Sequence, residues 1–357
     1  MKNKKNILFM TLGNTITASS RTRVYNYKPL LEKEGFRVTV IPYNSAVDIR
    51  LNALNKYPGI MIKLVNRINH LFKCALYMLV ASRYDIVCLQ RVLVPVFVYK
   101  KIRAGAKHVI FDFDDAIYLA DKLGQAPAGK DKFLNRFNYI IRTADRVIVS
   151  NESLRERALE FNRNVAVIPT PVDTHKLTPR AKEDREKITI GWIGSPWVSN
   201  FIKPLKGVFE SLYKEYPFLK IKLVGASDIN GWNAETEVKK WSLEDEVTDL
   251  QDFDIGIMPL GMDEWCKGKS GYKLLQYMAV GIPCVASAVK SSQELIKDGV
   301  NGFLAGSDKD WRDKLERLIK DSDLRARMGM EGRKVVEQAY SYNRNFSQLL
   351  SLMNDLS

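Results

Sequence analysis

At 357 residues the chain is too long for one ordinary core and suits two domains. Its 46% hydrophobic and 27% charged residues exclude a disordered chain, and no apolar run reaches the roughly 18 residues that a membrane-spanning helix needs. The formal charge of +14 is uneven: residues 1–110 hold 19 Lys/Arg against four acids, and the remainder holds 36 against 37. A basic first half expects an anionic partner, such as membrane lipid, a phosphorylated acceptor or nucleic acid.

The N-terminus, MKNKKNILFMTLGN, is basic and then apolar for only about five residues, without a small-residue cleavage site. It reads as a first strand rather than a signal peptide. Strands follow at 37–43, 85–90, 108–113, 146–150 and 165–169, then at 188–194, 220–225, 254–260, 283–287 and 302–305. Helical spacing fills the gaps, as at 26–35, 203–216 and 272–281. This alternation predicts βαβ units and parallel, doubly wound sheets.

The stretch 169–187, PTPVDTHKLTPRAKEDREK, has a linker composition. It separates an expected first domain, 1–172, from a second, 186–340, and 341–357 reads as a helix packing back on the first. Cys74, Cys88, Cys266 and Cys284 show no CxxC spacing and no metal-ligand rhythm with the histidines. They are expected to be reduced thiols in a cytoplasmic protein, with no disulfide framework.

The richest segment is GKSGYKLLQYMAVGIPCVASAVKSSQELIKDGVNGFLA, 268–305. Lys269, Ser270 and Gly271 open a helix, where unbonded backbone N–H groups and the helix dipole favour a phosphate. Lys269 and Lys273 are four apart and can project to one side, with Gln276 a turn further on, in reach of a ribose or base. A solvated basic helix start has the same spacing, and both readings stand. Gly194 and Ser195, in GWIGSPWVSNFIKP, sit where a backbone can approach a donor closely, or in an ordinary strand-to-helix turn. Trp192 and Trp197 flank that turn. Core packing is the simpler role for Trp192.

In the first domain, the loop 11–27 follows the first strand and should face a ligand crevice. It carries Gly13, then Arg21 and Arg23, which suit a donor diphosphate or an anionic acceptor. Solvated helix-start arginines are the plainer alternative. Gln90 and Arg91 lie at another strand end. FDFDDAIYL, 111–119, puts three aspartates within four residues after an apolar run. Asp112 and Asp114 can share a strand face. They form either a D-x-D metal site, or a strand end from which Asp114 and Asp115 reach sugar or acceptor. A cap for the next helix is the plain reading of Asp115. MIKLVNRINHLFKCALYMLVASR, 61–83, reads as a basic amphipathic helix, either packed on the surface or lying on an anionic membrane.

The 268–305 segment resembles the family-4 retaining glycosyltransferases of the group 1 type. Their pattern Glu-x7-Glu-AMA-x-G-x-P-V-V-A-S, then Glu-x3-DG-x-NG, is met here by Gln276, Tyr277, Met278, Ala279, Gly281, Pro283, Ala286 and Ser287. Glu294, Asp298, Gly299, Asn301 and Gly302 supply the second part. The family's second Glu is Gln276 here, its first falls at Gly268, and Ser195 stands where Arg is common. PTPVDTHKL, 169–177, is a weaker match.

The resemblance implies an α/β fold of the GT-B type, with two Rossmann-like domains facing a central cleft. It implies transfer from a nucleotide-diphosphate sugar to a glycan or lipid-linked acceptor, with retention and with neither metal nor cofactor. Donor contacts are expected from Gly13, Arg21, Gly194, Ser195, Lys269, Lys273, Gln276 and Glu294, and acceptor contacts from Arg23, Gln90 and Arg91. Lys273, with Lys269, would stabilise the leaving diphosphate, and Asp114 and Asp115 are the catalytic carboxylates expected. The expected setting is cytoplasmic, at the inner face of a membrane. Rival readings are a nucleotide-sugar epimerase or hydrolase of the same fold, and a non-catalytic glycan or nucleotide-sugar binding module. Nucleic-acid binding is not expected, because the basic half lacks interleaved aromatics and a known motif.

Overall fold

A computed structural model describes residues 5–44, 59–119, 130–180, 186–227, 229 and 231–356. The chain divides into two compact units, Met1–Pro171 with Asn345–Ser357, and Val172–Arg344.

The first unit is built on a parallel sheet ordered β2-β1-β3-β4-β5-β6. Its strands are Asn6–Thr11, Arg37–Pro42, Ile86–Gln90, His108–Phe113, Arg146–Val149 and Val165–Val167 as β1 to β6. The inner strands are near-continuous apolar runs, as a sheet covered on both faces requires, and Ile7, Val87, Ile110 and Val147 are fully buried. Chain order reverses between β1 and β3, so the carboxyl ends of those strands form a switch point. The C-terminal helix Tyr342–Asp355 adds Leu349, Leu352 and Met353 to buried positions, and Phe346 stacks on Tyr27.

The second unit holds Ile188–Ile193, Leu219–Val224, Thr236–Lys239, Ile255–Met258, Cys284–Ser287 and Phe303–Ala305 as β7 to β12. Its parallel sheet runs β12-β11-β10-β7-β8-β9, with a switch point between β7 and β10. One core layer joins Trp192, Phe209, Leu223 and Trp311. The other joins Phe253, Leu274, Tyr277 and Val336.

Eleven of the twelve strands coincide with apolar runs in the sequence. The exception is β9, TEVK, an edge strand without such a run. A parallel ladder with β8 from Ile221↔Thr236 to Val224↔Lys239 places it, and Lys220 pairs with Glu237 at 2.6 Å and Lys239 with Asp249 at 2.9 Å. The segment with linker composition is in part core. Val172 and Leu177 are buried, the Val172 N–H donates to Tyr340 O at 2.9 Å, and Arg333 donates to the carbonyls of Thr174 and Leu177. Polar residues around two buried anchors mimic a linker in composition.

All four cysteines are free and buried. Burial pushes the Cys284 thiol up to about 12.

Candidate active site

In the second unit the two strands at the switch point are paired over Ile190↔Ile255 and Gly191↔Gly256. Towards the carboxyl ends a side chain bridges them. The buried Tyr277 hydroxyl accepts from Ile193 N at 3.2 Å and donates to Ile257 O at 3.1 Å. Burial holds this phenol far above its ordinary range, against the hydrogen bond from Ile193, which lowers it. Ser287, from the same motif, accepts from Leu260 N at 2.8 Å and fixes the loop leaving β10.

Gly194 follows β7, and its N–H donates to Val224 O at 2.9 Å. A Cβ on Gly194 would lie 2.6 Å from Lys273 Nζ and 2.7 Å from the Trp192 ring, so any larger residue displaces one of them. Lys273 Nζ sits 4.1 Å from the Trp192 ring centroid, and Lys269 Nζ sits 3.5 Å from that of Trp265. Both ammonium groups therefore rest against aromatic faces, which attract a cation. Trp192 is core, as its apolar setting suggests, whereas Trp197 is exposed.

The helix Tyr272–Ala279 begins after Gly271, whose φ of 65° is left-handed. A side chain there would overlap Leu295, so the turn that aims the helix start requires glycine. On the helix Gln276 is buried, and its Nε2 has no hydrogen-bond partner. A buried amide donor left unmatched is costly unless something supplies an acceptor. Ser195 and Glu294 are exposed, and Glu294 adjoins Leu295, the residue that closes on Gly271.

Asp298 and Asn301 of the motif are scaffold. Asp298 accepts from Leu304 N at 2.7 Å. Asn301 accepts from Lys297 N at 2.7 Å and donates to Leu295 O at 3.0 Å. These residues lock their own turn.

In the first unit, a chain of hydrogen bonds ties the β1 and β3 ends together. Gly13 N donates to Ser20 Oγ at 3.1 Å, and Ser20 Oγ donates to Gln90 Oε1 at 2.9 Å. Gln90 is fully buried and its Nε2 has no partner. Arg91 has φ 57°, the sole positive φ at a non-glycine residue among the described residues. Strain of this kind persists where surroundings over-determine it. Its Nη1 donates to Asp114 Oδ1 at 3.2 Å and Asp115 Oδ2 at 3.3 Å. Burial raises the Asp114 carboxyl above the ordinary aspartate value. Arg91 opposes that shift and the neighbouring Asp115 adds to it. The structure thus brings together Gln90, Arg91, Asp114 and Asp115.

Two expectations for this unit are corrected. Arg23 is not presented to an acceptor: its Nε and Nη2 grip both oxygens of Asp112 at 2.7 and 2.8 Å. Its Nη1 donates to Ile168 O and Thr170 Oγ1, and the two paired side chains are 3% and 9% exposed. A guanidinium fork matches a carboxylate edge, so this is a buried strut between the β1–β2 connection, β4 and the β6 exit. Arg21 donates to the carbonyls of Thr15 and Ile16, stapling the loop after β1 rather than reaching outward. The same pairing separates the aspartates of the DFD run. Asp112 belongs to Arg23 and Asp114 to Arg91, so they are not set side by side as D-x-D ligands.

Sequence reasoning passed over Ser20 and the bridging role of Tyr277. Both are hydroxyls in apolar or small-residue surroundings. Only Tyr277, quoted within the motif, carried a signal.

Residues 205–335 match the family described as glycosyl transferases group 1. A curated relative, N-acetyl-alpha-D-glucosaminyl L-malate synthase of Bacillus anthracis, is 26% identical over 251 residues. That match spans 64% of this chain and 64% of the relative's length. A glycosyltransferase from Rickettsia africae superposes with TM-score 0.71 at 13% identity, covering 99% of each chain. Anabaena HepE, solved with UDP and glucose, superposes with TM-score 0.67 at 14% identity, covering 99% of this chain and 100% of that one. The chain thus has the GT-B glycosyltransferase fold and resembles the group 1 glycosyl transferases, with that family's match lying over residues 205–335.

Proposed function

We propose that the chain is a glycosyltransferase that moves a sugar from a nucleotide-diphosphate sugar to a glycan or lipid-linked acceptor, with retention and without metal or cofactor. The observation that carries this reading is Lys273 Nζ, held beside the bare Gly194 backbone at the β7/β10 switch point. A cation next to a side-chain-free strand end suits a diphosphate. Lys273, aided by Lys269, neutralises the leaving nucleoside diphosphate as the glycosidic bond breaks. Gln276 Nε2 donates to a ribose hydroxyl, and Ser195 and Glu294 line the donor.

The acceptor falls to the Gln90–Arg91 strand end. Asp114, with its raised pKa, and Asp115 orient its attacking hydroxyl, and a donor phosphate oxygen assists in removing the proton. The HepE complex with UDP and glucose supports a UDP-sugar donor. The excess of cations in residues 1–110 supports a cytoplasmic enzyme working at the inner face of a membrane, in polysaccharide assembly.

Isothermal titration with a panel of nucleoside diphosphates and their sugars, in EDTA, tests this. One nucleotide sugar is expected to bind, and Lys273→Ala is expected to weaken it by about 1.5–3 kcal/mol, roughly 10–100-fold. NMR of the product anomer reads retention. Free sugar released without any acceptor points to the epimerase or hydrolase instead, and binding that Lys273→Ala leaves intact refutes the donor assignment.

A further inference from the structure

Sixteen large apolar side chains are exposed among the described residues, and six of them lie on the helix Gly59–Val80. These are Leu64, Val65, Ile68, Leu71, Phe72 and Leu79, with Leu71, Phe72 and Leu79 at 61%, 64% and 73% exposure. At about 100° per residue they fall within an arc of roughly 120°. The opposite face is anchored. Cys74 and Tyr77 are buried, the Tyr77 hydroxyl donates to Ile41 O at 3.2 Å, and His70 stacks on Tyr43 at 4.4 Å. A helix fixed on one side and apolar on the other is a surface awaiting a partner, because isolated exposed apolar residues are ordinary but a contiguous set is not.

Charge selects the partner. Neither this helix nor the helix Val96–Gly105 packed against it contains an Asp or Glu. Exposed Arg67 borders the arc, Lys73 lies beyond its other edge, and the second helix exposes Phe97, Lys100 and Lys101. A second copy of the chain would bring like charge against like charge. No helix among the described residues is long and apolar enough to cross a membrane.

We infer that this face docks on the surface of an anionic lipid bilayer, resting on the membrane-face reading above. The apolar arc enters the boundary between headgroups and acyl chains, and Arg67, Lys100 and Lys101 meet the lipid phosphates.

Co-sedimentation of the full chain with phosphatidylcholine vesicles, with and without phosphatidylglycerol, tests the docking. The wild type is expected to bind the mixed vesicles, and to bind less to phosphatidylcholine alone and at high salt. Leu71→Ser combined with Phe72→Ser is expected to lower the partition coefficient about thirtyfold. Both side chains are exposed, so the double variant should keep wild-type nucleotide-sugar binding, measured in parallel as its control for folding. Vesicle binding by a wild type that binds no nucleotide sugar supports the docking face and sinks the donor reading instead. A wild type that stays in the supernatant with mixed vesicles, or a double variant that binds them as the wild type does, overturns the proposal. So does a wild-type dimer that the double variant turns into monomer.

Discussion

Replacing Tyr277 with phenylalanine removes one oxygen and leaves the ring volume unchanged. That oxygen is the link between β7 and β10, accepting from Ile193 N and donating to Ile257 O. Tyr277, Ile193 and Ile257 are all buried, so bulk solvent does not replace the lost partner. The variant therefore strands a backbone donor and a backbone acceptor, each costing about 1–3 kcal/mol. At 3.2 and 3.1 Å both bonds are towards the long end of the range, so the lower half applies, and the sum is roughly 2–4 kcal/mol. For a unit of roughly 170 residues, at about 2–4 °C per kcal/mol, Tm should fall by about 4–16 °C. Scanning calorimetry with urea unfolding at constant m-value reads it. Nucleotide binding should weaken as well, since Gly194 directly follows the released Ile193. A loss below about 0.5 kcal/mol with unchanged nucleotide affinity would refute the bridging role.

Arg23→Ala should destabilise the chain by about 3–5 kcal/mol in denaturant unfolding, because it leaves the Asp112 carboxylate buried without its partner. A loss of acceptor affinity with unchanged stability would restore Arg23 to the acceptor site. Glu316 sets a pH dependence. Hydrogen bonds from Lys320 and then Tyr216, with Lys320 and Arg312 nearby, lower its carboxyl from 4.5 to about 2, outweighing the effect of burial. Its stabilisation is therefore present above the ordinary value and is lost as pH falls from 4.5 towards about 2. Glu316→Gln should flatten the pH dependence of Tm in that window, and parallel curves would count against the assignment.

The division of labour between sequence and fold follows from the range of each interaction. Apolar runs such as ILFM and IVCL declare buried parallel strands locally, since both faces of each strand are covered by helices. The helix-opening loop at Lys269–Gly271 is equally local, because a left-handed glycine and nearby cations need only their own neighbours. The edge strand β9 is not legible, for it has no apolar run and its partners, the β8 backbone, Lys220 and Asp249, lie elsewhere in the chain. Nor is the fate of a charged side chain. Arg21 and Arg23 look alike in sequence, yet one staples a loop and the other meets Asp112, 89 residues away. Tyr277 finds Ile193 across 84 residues. The sequence by itself determined eleven of the described strands, the two-sheet layout and the glycine turn that opens the helix Tyr272–Ala279. Only tertiary structure decided which polar groups are consumed as struts and which, like Gln276 Nε2, stay unmatched. A side chain's chemistry is local, but its partner is set by which strand ends the sheet order brings together.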